Sequence, residues 1–71
     1  MDKVQFVDAL GQLLSKTNFG VKGARYERNQ YDEIAVIEFY DRPEYPVYIT
    51  GDSNAMIISD VLRGLEAYIG Y

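Results

Sequence analysis

The sequence predicts an α+β fold in the order α-β-β-β-α, with a three-stranded antiparallel meander carrying both helices on one face. Three observations carry this reading. The two ends of the chain place apolar residues at helical spacing. Between them lie three short runs of alternating, β-branched or aromatic residues. The connections between those runs are too short for a parallel crossover, so neighbouring strands must pair antiparallel. With 71 residues, the chain is read as one domain over 1–71, with a thin core.

The first helix is predicted from about Asp2 to Lys16. Val4, Phe6, Val7, Leu10, Leu13 and Leu14 fall on one side, and Gln5, Asp8, Gln12 and Ser15 on the other. Asp2 at the start and Lys16 at the end suit the helix dipole. Gly11 lies inside the apolar arc, where it costs about 1 kcal/mol against alanine. Its expected role is close packing against a neighbouring element. Asn18 and Gly20 tolerate positive φ and are expected to stop the helix.

A strand is predicted from Val21 to Asn29, with Ala24 and Tyr26 facing one way and Arg25 and Glu27 the other. Asn29-Gln30-Tyr31-Asp32 reads as a hairpin connection. The next strand, Glu33 to Asp41, is nearly apolar on both faces and is expected to be central. Ala35, Ile37 and Phe39 are assigned to the core because Glu38 falls in the other set. Asp41-Arg42-Pro43-Glu44 is a turn. The third strand spans Tyr45 to Thr50, with Val47 and Ile49 inward, and Pro46 marks it as an edge. Asp52 or Ser53 caps the last helix, whose apolar stripe is read as Ala55, Ile58, Val61, Leu62, Leu65 and Ile69, flanked by Ile57 and Tyr68. Asp60 and Glu66 are placed on its wet side, and Gly70 ends it.

The chain has 11 acidic residues against 7 basic ones, no His and no Cys, for a net charge of −4. Without His, the usual general base and the commonest metal ligand are missing. Without Cys there is no disulfide or thiolate site. No cofactor, metal or catalytic activity is expected. The opening residues lack the basic start and apolar run of a signal peptide, and no apolar run is long enough for a membrane span. A cytoplasmic location is therefore expected, with no membrane partner.

Gly51-Asp52-Ser53 matches the opening of the Gly-Asp-Ser-Leu hydrolase motif, but that chemistry needs a base for the serine proton, and a strand end followed by a helix cap accounts for the residues. Asp41 and Glu44 are too few ligands for a hard cation. The functional expectation rests on the sheet face that two helices on one side leave open. It is predicted to carry Ile34, Val36, Tyr40 and Tyr48, bordered by Arg25, Glu27 and Glu38, as a surface for a protein partner or a second copy of the chain. The alternative for that face is cover by helix ends, the hairpin or the 68–71 segment. A second functional reading is nucleic-acid binding through Lys22, Arg25 and Arg28, which the net negative charge opposes. Nearby acids make cross-strand ion pairs the simpler account of those cations.

The stretch Val47-Tyr48-Ile49-Thr50-Gly51-Asp52-Ser53, with Ala55-Met56-Ile57 and Asp60-Val61-Leu62, resembles a family of small uncharacterised proteins from phages and prophages of low-GC Gram-positive bacteria. The resemblance covers mainly residues 33–65. It implies an accessory or regulatory role in a host cytoplasm and carries no activity. The element order is also similar to that of the double-stranded-RNA-binding domain, without the lysine cluster that opens that domain's second helix. A looser similarity is to small acidic phage inhibitors of host nucleases.

Overall fold

The structure, a computed structural model, describes residues 2–70. Its elements are α1 (Lys3–Leu14), β1 (Val21–Arg28), β2 (Glu33–Phe39), β3 (Tyr45–Tyr48) and α2 (Asn54–Ile69). The three strands form one antiparallel sheet in the order β1-β2-β3. The α-β-β-β-α order, the meander and the central place of β2 are as the sequence predicts. So is the edge position of Pro46, which lies opposite Val36.

Each helix start follows from local chemistry. Asp2 caps α1 by accepting from the Gln5 amide at 2.8 Å, while the Gln5 side chain accepts from the Asp2 amide at 3.3 Å. This reciprocal pair satisfies two donors that a helix start leaves free. Ser53 caps α2 by accepting from the Met56 amide at 3.1 Å. Gly70 ends α2 with φ of 69°, the left-handed conformation that glycine adopts without steric cost. Asn29 closes the β1–β2 connection by accepting from the amides of Tyr31 and Asp32.

Both helices bury against one face of the sheet. Ala24, Ala35, Ile37, Phe39 and Val47 meet Val7 and Leu14 of α1 and Ile57, Val61 and Leu65 of α2 in a single core. The register moves from Val21 opposite Phe39 to Gly23 opposite Glu38, so Lys22 is the extra residue of a bulge. The bulge explains how Val21 and Ala24, three positions apart, are both buried. It also explains why alternation in β1 is legible only from Ala24 onwards.

Two glycines set the helix-to-sheet distance. A Cβ on Gly11 would come within 2.7 Å of the Ala24 Cβ, and one on Gly64 within 2.6 Å of Val47 Cγ2. The Gly11 role is as the sequence indicates; the matching role of Gly64 on α2 is visible only in the structure.

Several boundaries and facings differ from expectation. The first helix ends at Leu14 rather than Lys16, because the Thr17 hydroxyl and amide both bond the Leu14 carbonyl and turn the chain. The strands stop at Arg28, Phe39 and Tyr48, each short of its predicted end. Val4 and Leu13, placed on the apolar side of α1, are exposed, Leu13 by 65%. The buried stripe of α2 runs through Ile57, Asp60, Val61 and Leu65, while Ile58 and Leu62 are exposed. The stripe is thus turned toward Ile57, because Gly64 must face Val47 for α2 to approach β3. This turn brings Asp60, expected in water, into the protein at 5% exposure.

Replacing Gly11 with alanine is expected to lower stability by about 1–3 kcal/mol, because forced overpacking outweighs the gain in helix propensity. Urea denaturation should show the loss, with Gln12→Ala, at an exposed position of the same helix, near wild type.

Candidate functional site

The sheet face turned away from the helices is built from alternate residues of each strand. The register places Arg25 beside Val36 beside Pro46, and Glu27 beside Ile34 beside Tyr48. Glu38 follows on β2, opposite Gly23. No helix lies over this face, since both pack on the other side in the single core. Tyr68, near the end of α2, is also on the helix side. It stacks on Tyr45 with ring centroids 4.3 Å apart, and its hydroxyl donates to the Pro43 carbonyl at 2.8 Å. The proposed cover by the 68–71 segment therefore fails for Tyr68 through Gly70; Tyr71 lies outside the described residues.

The face is held by one arginine. Arg25 Nε donates to Glu27 at 2.7 Å, and Nη1 donates to Glu38 and to Glu44, each at 2.9 Å. Nη2 reaches the other Glu44 oxygen at 3.1 Å, completing a two-pronged pair with the residue just before β3. Arg25 lies on β1 and Glu44 beside β3, so this side chain spans the central strand. Beneath that span sits Val36, which is only 5% exposed although no helix covers it. Val36, expected in the open patch, is therefore buried on its own face, between Arg25 of β1 and Pro46 of β3. The hydrogen bonds from Arg25 hold the Glu44 carboxyl below its usual range, and Glu44 and Glu27 raise the guanidinium. One base faces three acids here, so the face is acidic.

The other expected residues stay at the surface. Tyr48 is 58% exposed and Tyr40 68%. Ile34 is half-buried between Glu27 and Tyr48. Tyr40 lies one position past β2, where its amide donates to the Gly20 carbonyl at 3.1 Å. Of the three cations in the nucleic-acid reading, Arg25 is consumed by its acids, while Lys22 and Arg28 are exposed near opposite ends of β1. The structure does not gather them into one basic site.

Two anchors outside the face position its strands. Lys3 Nζ bonds Glu33 at 2.6 and 2.9 Å and Asp52 at 2.9 Å. It joins the start of α1, the start of β2 and the chain before α2. These bonds raise the Lys3 pKa and lower those of Glu33 and Asp52. Tyr26 is pushed up by burial and by its bond to Glu33. Asp52, matched to the hydrolase motif, thus serves as an ion-pair partner, and Ser53 as a helix cap.

Asp60 is the anchor that sequence reasoning missed. Its carboxylate accepts from the Thr50 amide at 2.8 Å, from the Thr50 hydroxyl at 3.0 Å and from Arg63 at 2.7 Å. It thereby satisfies the backbone just past the edge strand β3 and ties it to α2. Burial alone would push the Asp60 pKa up, but the Thr50 and Arg63 donors hold it below the usual aspartate range. The available signal was Thr50, a hydroxyl donor at a strand end, with Asp60 two turns into the following helix.

Among the described residues no three acidic side chains gather as a metal site, and no helix is long and apolar enough to cross a membrane. No family model, curated protein or solved structure matches the chain.

Two outcomes follow. Arg25→Ala should uncover Val36, raising the fluorescence of a hydrophobic dye while the circular dichroism spectrum stays native; unchanged fluorescence would show that another side chain seals it. Asp60→Asn should cost about 1–3 kcal/mol by weakening buried charge-assisted bonds. Because the Asp60 carboxyl is held lower in the folded than in the unfolded chain, its stabilisation is present above about pH 4 and lost as pH falls through the folded value. In wild type minus D60N, the stability gap measured by urea titration should shrink over that acidic window.

Proposed function

We propose that this chain is a non-catalytic binding module that docks a protein partner on its open sheet face. The observation that carries this is Tyr48, 58% exposed beside half-buried Ile34 on a face without helices. A tyrosine offers a broad apolar ring and a polar tip, a combination favoured in interface cores. Pro46 is exposed on the same face, and Tyr40 extends from the end of the central strand.

Charge selects the kind of partner. The face sets Glu27, Glu38 and Glu44 against a single Arg25, within a chain of net charge −4. Two copies meeting through this face would bring like charges together, which disfavours self-docking. A partner with a cationic surface around an apolar contact is complementary. A nucleic-acid-binding enzyme has such a surface, which brings the acidic-inhibitor reading within this proposal. The resemblance to small phage proteins supports an accessory role in a host cell, where the cytoplasm is the proposed location. Direct binding of nucleic acid is disfavoured by the same acids.

Sedimentation at micromolar concentration should find a monomer, and a dimer dispersed by Tyr48→Ala would replace this reading with self-association. Affinity capture from host lysate should retain a basic protein that salt elutes and that Tyr40→Ala/Tyr48→Ala loses. Leu13→Ala, on an exposed helix position, should keep it. Equal capture by both variants would remove the face from function.

A further inference from the structure

At one end of the molecule, the chain between α1 and β1, the turn between β2 and β3 and the end of α2 border a shallow, solvent-open cavity of about 540 Å³. Thr17, Asn18, Phe19, Arg42 and Ile69 line it. A cavity of this size falls within the range of small-molecule sites. Its lining combines one cation, two polar side chains and two apolar ones.

Arg42 differs from the ion-paired cations of the chain. Lys3, Arg25 and Arg63 are held by carboxylates. Arg42 makes no ion pair among the described residues. Its guanidinium instead stands 5.9 Å from the Phe39 ring centroid and 5.5 Å from that of Tyr68. Such a cation–π contact restrains a guanidinium without using its N–H donors in an ion pair.

The turn carrying Arg42 is itself fixed on both sides. The Tyr40 amide bonds Gly20, the Pro43 carbonyl accepts from Tyr68, and Glu44 is gripped by Arg25. The arginine is thus pre-positioned at the cavity without a charge partner, in a chain with an excess of acids. A pre-organised donor loses little freedom on binding.

We infer that this cavity binds a small carboxylate carrying an apolar group, with Arg42 as the anion anchor and Phe19 and Ile69 as the apolar wall. A planar guanidinium matches a carboxylate through two parallel hydrogen bonds. The Asn18 amide supplies a further polar contact at the rim. The ligand is either a free organic acid or the carboxyl-terminal residue of a peptide. The site is separate from the open sheet face, so its test does not depend on the docking proposal.

The experiment is a two-dimensional amide and arginine-side-chain NMR titration of the full chain with N-acetylleucine. Saturable shifts are expected at Asn18, Phe19, Ile69 and the Arg42 Nε, with millimolar affinity. N-acetylleucinamide, which lacks the charge, should bind roughly tenfold more weakly or not at all. Arg42→Gln, at an exposed position, should keep the native spectrum and lose the binding, and Arg42→Lys should recover only part of it. Equal shifts with acid and amide, or full binding by Arg42→Gln, would overturn the inference. A leucine-terminated pentapeptide separates the two sources: tighter binding than N-acetylleucine assigns the site to a chain end, and loss of binding assigns it to a free acid.

Discussion

Close approach of each helix backbone to the sheet, through a glycine, is the constraint on which this structure depends. Gly11 lets α1 reach Ala24, and Gly64 lets α2 reach Val47. The sheet is only three strands wide. Two helices can share one face of it only by lying close, so that Val7, Ile57 and Val61 become fully buried among Ala35 and Ile37. A chain this short has little other apolar surface to bury. The same closeness commits both helices to one side and leaves the reverse of the sheet to manage without them.

The reverse side is managed by charge. Arg25 crosses the central strand to Glu44 and also pairs with Glu27 and Glu38, while Val36 beside it is 5% exposed. Long side chains often cover apolar surface with their stems while their heads stay wet. Exposed ion pairs of this type add little stability singly. Here their value lies in placement, because they keep a sheet face without helices from being uniformly apolar. What stays available is the ring of Tyr48 with its neighbours, a smaller and more selective surface than the sequence pattern implies.

Much of the fold was legible because two periods alternate cleanly along the chain. The run from Ile34 to Phe39, nearly apolar on both faces, marked the central strand, Pro46 marked an edge, and Gly11 within an apolar arc marked a close approach. The facing of α2 was not legible. The predicted stripe joined Val61, Leu65 and Ile69, which do pack inward, with Ala55, Ile58 and Leu62, which are exposed, and set Ile57 and Tyr68 only at its flank; the position of Gly64 against Val47 fixes the rotation. Once that rotation is set, Asp60 must be buried, and Thr50 must supply its donors. The open face was legible as a set of residues. The ion pairs beside Val36 were not, because the reach of Arg25 to Glu44 joins residues 19 positions apart across the central strand.

The contacts of Lys3 have a consequence for how this chain is made. Its partners Glu33 and Asp52 lie 30 and 49 positions downstream, and the core around Val7 also includes Leu65. Helix α1 is therefore completed by α2, which is synthesised after it. Until α2 is made, α1 and the hairpin hold apolar surface uncovered that α2 later buries. Final packing of α1 must wait until α2 has been made, and the interval before it is the period of greatest exposure to proteases and chaperones.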